Sequence, residues 1–443
     1  MLKKSADLVL QGGVTSALVY IGLIRRLSRS YGFKRLGGAS SGAVAAAAAA
    51  IAERTRQHSV PDARHTPGFD PFKRLSEFAV ELAKTDARGD TRLFNLFQPQ
   101  PATERGWAIL GAGLRHWPGH KAAAAAAVFG MALRQYPLPA LLGLLIGTLP
   151  TLWFWARAAH PFDGATVGAL GVALLAGLLL ASVALLVYAL VATLRGLRAN
   201  HFGFCSGLGA DATAPPDLAR PPLSWAFHGL FNELADIKVA GRPVTFGDLW
   251  GAPKDDDKDS REIDLQVITT CLSLRRPYRL PGDPGVNPLQ GFFYDPAEWA
   301  QFFPLPVMLL LDQAQLPFGG PPVTNAAGVV LRTLPDPRYW PVLMAVRLSL
   351  SFPVLLSAVP MYTLDGARAI DARVSATPAS SRARSIFPMA ASPTTAPCSC
   401  STRPCPATRP LWSAWPICRQ ATPGAGASGC MATRAMRRHA CGR

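Results

Sequence analysis

Residues 36–45 read Leu-Gly-Gly-Ala-Ser-Ser-Gly-Ala-Val-Ala. Within them, Gly38-Ala39-Ser40-Ser41-Gly42 has the pattern G-x-S-x-G. That pattern puts a serine on a sharp strand-to-helix turn, where its hydroxyl can attack an acyl carbon. Gly38 and Gly42 let the helix pack close to the strand. The helix N-terminus aims its N–H groups at developing negative charge. Ser41 is the competing hydroxyl, but the pattern centres on Ser40. A second glycine feature, Gln11-Gly12-Gly13, lies about 25 residues upstream. Amides of such a turn, together with that of Ser41, can form an oxyanion hole.

Ser40 needs a base. None of the eight histidines sits where a triad would place one. An aspartate takes a serine proton directly when it is within hydrogen-bond reach. Asp365, in Asp365-Gly366-Ala367, is the candidate. A plain turn aspartate before glycine is the competing reading. Other chemistries lack their signatures. There is no G-x-x-x-x-G-K-[ST], no G-x-G-x-x-G and no H-E-x-x-H, so no nucleotide, metal or other cofactor is expected.

The elements around these residues read as strand, turn, helix, strand, turn, helix. Asp7–Leu10 is a short strand and a helix runs to about Leu27. Phe33–Gly37 is a second strand, and the alanine-rich run Ser41–Ala52 is a strong helix former. Further on, Ile263–Leu274 alternates like a strand, 283–304 reads as loop plus an aromatic-rich helix, and Tyr339–Ser351 reads as a helix ended by Phe352-Pro353.

Two stretches are long enough to span a bilayer. Pro139–Arg157 contains Pro150, which predicts a kink. Ala165–Leu194 carries no charge at all, a strong spanning signal. Trp153 and Trp155 suit an interface belt. Arg134 precedes the first stretch, and Arg195, Arg198 and His201 follow the second. A hairpin would hold both flanks on one side, the cytoplasmic side by the distribution of basic residues. A buried helical hairpin is the alternative.

Together, the Gly12-Gly13 turn and Gly38–Gly42 resemble the patatin-like phospholipase family over Asp7–Ala52. Val346–Pro360 resembles, more loosely, the stretch before that family's aspartate. The resemblance implies an α/β three-layer fold, here with an inserted transmembrane helical hairpin. It also implies a Ser–Asp dyad of Ser40 with the aspartate of a late D-G-G or D-G-A, and no cofactor. The family's oxyanion loop carries a third glycine and a basic residue, whereas Val14-Thr15 follows Gly13 here. The implied organisation is 1–120 and 200–371 as two parts of one domain, 137–195 as the hairpin, and 372–443 as a tail.

The chain of 443 residues is 49% hydrophobic with a net charge of +17. Such charge suggests an acidic partner, but it is concentrated. Residues 372–443 hold ten Arg, no Lys, Asp or Glu, and six of the eight Cys. They lack periodicity, as a disordered tail would. Disordered tails rarely collect Cys and Trp, so this one reads as GC-rich DNA translated out of frame. Read one phase over, the codons of Phe387–Thr395 permit Ser-Asp-Gly-Gly-Ile-Ser-Asn-Asn. With the charge placed there and no binding motif, nucleic acid is not an expected partner. The expected partners are a membrane and a lipid or phospholipid ester; a catalytically dead membrane scaffold is the rival. The oligomeric state stays open.

Overall fold

The computed structural model describes residues 4–13, 16–58, 60, 62–86, 89–116, 121–158, 162–210, 220–239, 241–251, 261–315, 322–325, 327–352, 354–364, 383–386 and 388–390. All lie in the first of the chain's two units, Met1–Ala396. The order begins β1 (Lys4–Leu10), α1 (Ser16–Ser28), β2 (Tyr31–Ala39), α2 (Ser41–Gln57). It continues α3 (Pro71–Ala83), α4 (Arg92–Asn95), α5 (Glu104–His116), α6 (Lys121–Gln135), α7 (Pro137–Ala156), α8 (Gly164–Ala199). Next come β3 (Gly203–Cys205), α9 (Leu223–Leu234), α10 (Phe246–Trp250), β4 (Asp264–Cys271), β5 (Arg276–Leu280) and β6 (Phe292–Tyr294). The last are α11 (Pro296–Trp299), α12 (Leu305–Gln313), β7 (Arg332–Thr333), α13 (Val342–Ser349), β8 (Val354–Leu356), β9 (Met361–Leu364), β10 (Ala383–Ile386) and β11 (Pro388–Ala390).

The protein is a mixed α/β structure. β1, β2 and β4 run parallel, with Leu10 opposite Gly38 and Ala39 opposite Ile268. β2 and β5 overlap along β4 at Val267 and Ile268, so they occupy opposite edges. β11 and β5 both pair with Thr269–Cys271, which puts β11 on the β2 edge, just beyond Ala39. The core lies where α2 meets this sheet, α3, α9 and α13. α2 is buried from Ser41 to Arg54. Its alanines suit that place, because side chains of one carbon let a helix sit in the middle of a core at little entropic cost.

Two differences from the sequence reading are physical in origin. The aromatic stretch expected as helix forms the strand Phe292–Tyr294 and only one helical turn, started by Asp295 capping Ala297 and Glu298. Consecutive aromatics favour a pleated surface. Within 372–443, Ala383–Ile386 pairs with β9 and Pro388–Ala390 with β4. Such pairing uses backbone groups, so an open strand edge can recruit a segment without periodicity.

α7 and α8 are long and apolar enough to cross a membrane. No residue of α7 is buried, and in α8 the buried ones are Gly177, Leu185, Ala189 and Gly196. Within this chain, therefore, the hairpin is not buried in the core. The two helices meet through small residues. A methyl on Gly147 would fall 2.5 Å from the Gly177 carbonyl oxygen, and Gly143 faces Ala181. Close backbone approach through small residues is how helices associate where water supplies no hydrophobic drive.

One buried titratable group sets an acid limit on stability. Burial pushes His228 on α9 down to about 4, against an opposing hydrogen bond with the Gly241 backbone. An unfolded histidine titrates near 6.5. Between these values the unfolded chain binds a proton that the folded chain does not. The contribution of His228 to stability is therefore complete above about pH 6.5 and falls by up to about 3 kcal/mol as pH drops to 4. Unfolding midpoints measured across that range are expected to follow this slope and to flatten in His228→Gln. An unchanged slope in the variant would assign the effect elsewhere.

Candidate active site

β2 ends at Ala39 and α2 starts at Ser41, so Ser40 is the whole of the turn between them. Its backbone sits at φ 53°, ψ −128°. For a residue with a Cβ this lies in the left-handed half of the map, a strain of about 1–3 kcal/mol that persists only when the surroundings impose it. Here they do. A methyl on Gly42 would overlap the Leu10 carbonyl, and one on Gly38 would overlap the Gly42 carbonyl. The first turn of α2 is thus pressed against the ends of β1 and β2, and the chain must reverse within one residue. The G-x-S-x-G spacing is a packing requirement before it is a chemical one.

The Gly12-Gly13 turn is packed on the same elbow. A methyl on Gly12 would lie 2.5 Å from the Ser40 Cβ. The Gly13 N–H donates to the Ser41 Oγ at 3.0 Å, and that hydroxyl donates to the Gly13 carbonyl. Ser41 is almost fully buried, and its one hydroxyl satisfies both polar groups of Gly13. The expected oxyanion set is thereby narrowed. The Gly13 amide is engaged, whereas among the described residues the Gly12 and Ser41 amides donate to no protein acceptor. The Ser41 amide is also the first N–H of α2, which no helical carbonyl can serve.

Ser40 and Ser41 line an apolar cavity. Phe78 from α3, Phe97, Phe227 and Leu230 from α9, and Phe352 and Leu356 line it. No carboxylate or imidazole is among the lining residues that the structure describes. Asp365 lies outside the described residues, and so do Val14 and Thr15.

The sequence reading missed two buried residues on α13. The Arg347 guanidinium donates to the carbonyls of Ser206 and Ser357, each at 2.8 Å, and to the Ser351 Oγ at 3.1 Å. Burial pushes its pKa down to about 10. It ties α13 to the residues just after β3 and β8. Ser349 accepts the Ser40 N–H at 2.8 Å. The available signal was Arg347, Ser349 and Ser351 recurring inside an otherwise apolar stretch, since a polar residue in a buried element is the informative one.

No family model matches the chain. A curated protein of Rhizobium meliloti (strain 1021) named RpoH suppressor is 31% identical over 379 residues, covering 81% of this chain. The chain spans about half of that relative, 53% of its length. The solved structure of VipD from Legionella pneumophila aligns with 76% of this chain and 46% of its own at 13% identity. Its TM-score of 0.18 is too low to indicate a shared fold.

Proposed function

We propose that this chain is a patatin-like serine acyl hydrolase that cleaves carboxylic esters of lipids and is held at a membrane by α7 and α8. The observation that carries the reading is the strained Ser40 backbone on a strand-to-helix elbow beside an apolar cavity. An acyl chain would fill the cavity, placing its carbonyl at Ser40. Ser40 Oγ then attacks the carbonyl carbon. The oxyanion receives the Gly12 and Ser41 amides and the positive end of α2. An aspartate, Asp365 in this chain, takes the serine proton and returns it to the leaving alcohol. Water then cleaves the acyl-enzyme, leaving a free fatty acid and a lyso-lipid or alcohol. No metal or cofactor is invoked.

The hairpin supports the membrane part of the reading, and its basic residues suggest an orientation. Arg134, Arg195 and Arg198 flank the end nearest the α/β domain, whereas Arg157 stands at the far turn. By the bias of basic residues toward the cytoplasm, the α/β domain faces the cytoplasm.

A specific observation favours a second reading, a scaffold without catalysis: among the described residues the cavity has no acid or imidazole to activate Ser40. A fluorophosphonate probe applied to the full chain in detergent micelles separates the two. The expected result is a covalent adduct that peptide mapping assigns to Ser40. An unmodified Ser40 at saturating probe would leave the scaffold.

A further inference from the structure

The Ser40 amide is an awkward donor. β2 stops one residue before it and α2 starts one residue after it. Neither ladder nor helix therefore offers an acceptor, and a buried N–H without one is costly. Ser349 supplies it. Its Oγ accepts the Ser40 N–H at 2.8 Å and donates to the Ile268 carbonyl at 2.6 Å. Ile268 is the β4 residue in register with Ala39. The hydroxyl thus adds a rung to the β2–β4 ladder just where the backbone runs out of rungs. α13 and β4 are joined in the other direction too, because Thr269 Oγ1 donates to the Leu348 carbonyl at 2.9 Å. Ser349 has no exposed surface, so water cannot take its place.

We propose that Ser349 is the positioning residue of the nucleophile, an inference that rests on the acyl-hydrolase reading. Ser349 bonds the amide of Ser40, so it acts through the backbone. A Ser40 released from this bond keeps the reversal that packing imposes, but its Oγ is no longer held in one line with the cavity. Attack needs the reacting atoms about 3–3.5 Å apart and aligned, so a shift of that kind acts on the rate of bond formation. It leaves the affinity of the apolar cavity unchanged. The clamp also belongs to the cavity wall. Leu350 and Phe352, just after Ser349, line the same cavity. A chain lying in the cavity presses on the segment that holds the nucleophile in place.

The test is the saturation kinetics of Ser40 phosphonylation by a fluorophosphonate probe, using the full chain in detergent micelles. Ser349→Ala is expected to lower the maximal rate by about 10- to 100-fold, with the half-saturating probe concentration unchanged. Ser349→Cys keeps the shape but offers a weak acceptor. It is expected to melt close to the wild type and still react slowly. A Cys variant that reacts at the wild-type rate overturns the proposal. So does a loss in either variant that appears only in melting temperature or only in half-saturation. A wild-type chain whose Ser40 does not react overturns the acyl-hydrolase reading itself, and this proposal with it. That outcome is visible before any Ser349 variant is compared.

Discussion

If the chain is the acyl hydrolase proposed above, alanine in place of Ser40 is expected to reduce turnover of a short-chain ester by about 10⁴- to 10⁶-fold, equivalent to roughly 5–8 kcal/mol of transition-state stabilisation. The size follows from the loss of the covalent route. Among the described residues no other hydroxyl at the elbow is available to form an acyl-enzyme, because that of Ser41 is spent on Gly13. What remains is binding and the oxyanion amides. Steady-state hydrolysis by wild type and variant, normalised to folded protein, measures the effect. Full activity in Ser40→Ala would remove Ser40 as nucleophile. A companion variant reads the strain independently of the chemistry. Ser40→Gly loses the Cβ that makes φ 53° unfavourable. It is expected to be inactive yet about 1 kcal/mol more stable, since strain held for function is released with it.

Gly42→Ala is expected to destabilise the fold by about 3 kcal/mol or more, the upper range for an overpacked core. The added methyl points at the Leu10 carbonyl, with Gln11 next to it. Both are backbone atoms at the end of a paired strand, so neither can swing aside as a flexible side chain would. Relief would require parting α2 from β1, and α2 is buried over most of its length. Gly22→Ala is the matched control. Gly22 lies in α1 with nothing within 4 Å of where its methyl would go. There the change is expected to stabilise by about 0.4–1 kcal/mol. Chemical unfolding of the two variants should move in opposite directions. A Gly42→Ala midpoint within experimental error of wild type would show that the elbow is not packed as described.

The elbow was legible because its glycines are required by close packing, and a packing requirement leaves a fixed spacing in the sequence. α2 was legible from its alanines, and α7 and α8 from composition, since a long run without charge has few other uses. Ser349 was not legible. Its partner is 309 positions away, and only the fold decides that a serine on α13 ends beside the last rung of β2. The engaged Gly13 amide was hidden for a similar reason, because which amide is spent depends on a side-chain rotamer. Asp365 lies outside the described residues, so its assignment as a base rests on the sequence alone. One positional fact bears on it. β11 lies just beyond the nucleophile end of β2, and the codons of its residues, together with that of Ala391, permit Asp-Gly-Gly in the shifted phase.

The length of α8 has a mechanical consequence. Its 36 residues measure about 54 Å, against the roughly 30 Å of a bilayer's hydrocarbon core. The 20 residues of α7 match that layer, so the surplus of α8 lies at its domain end. There Leu185 and Ala189 pack with Ala132 and Tyr136. Three residues past the end of α8, the Phe202 carbonyl accepts the N–H of Val354 at 3.0 Å, and Val354 begins the strand whose Leu355 and Leu356 face the cavity. With α7 and α8 across a bilayer, α8 is a stiff column standing on lipid and ending against the cavity wall. Any change in lipid thickness that tilts the column then becomes a load on that wall.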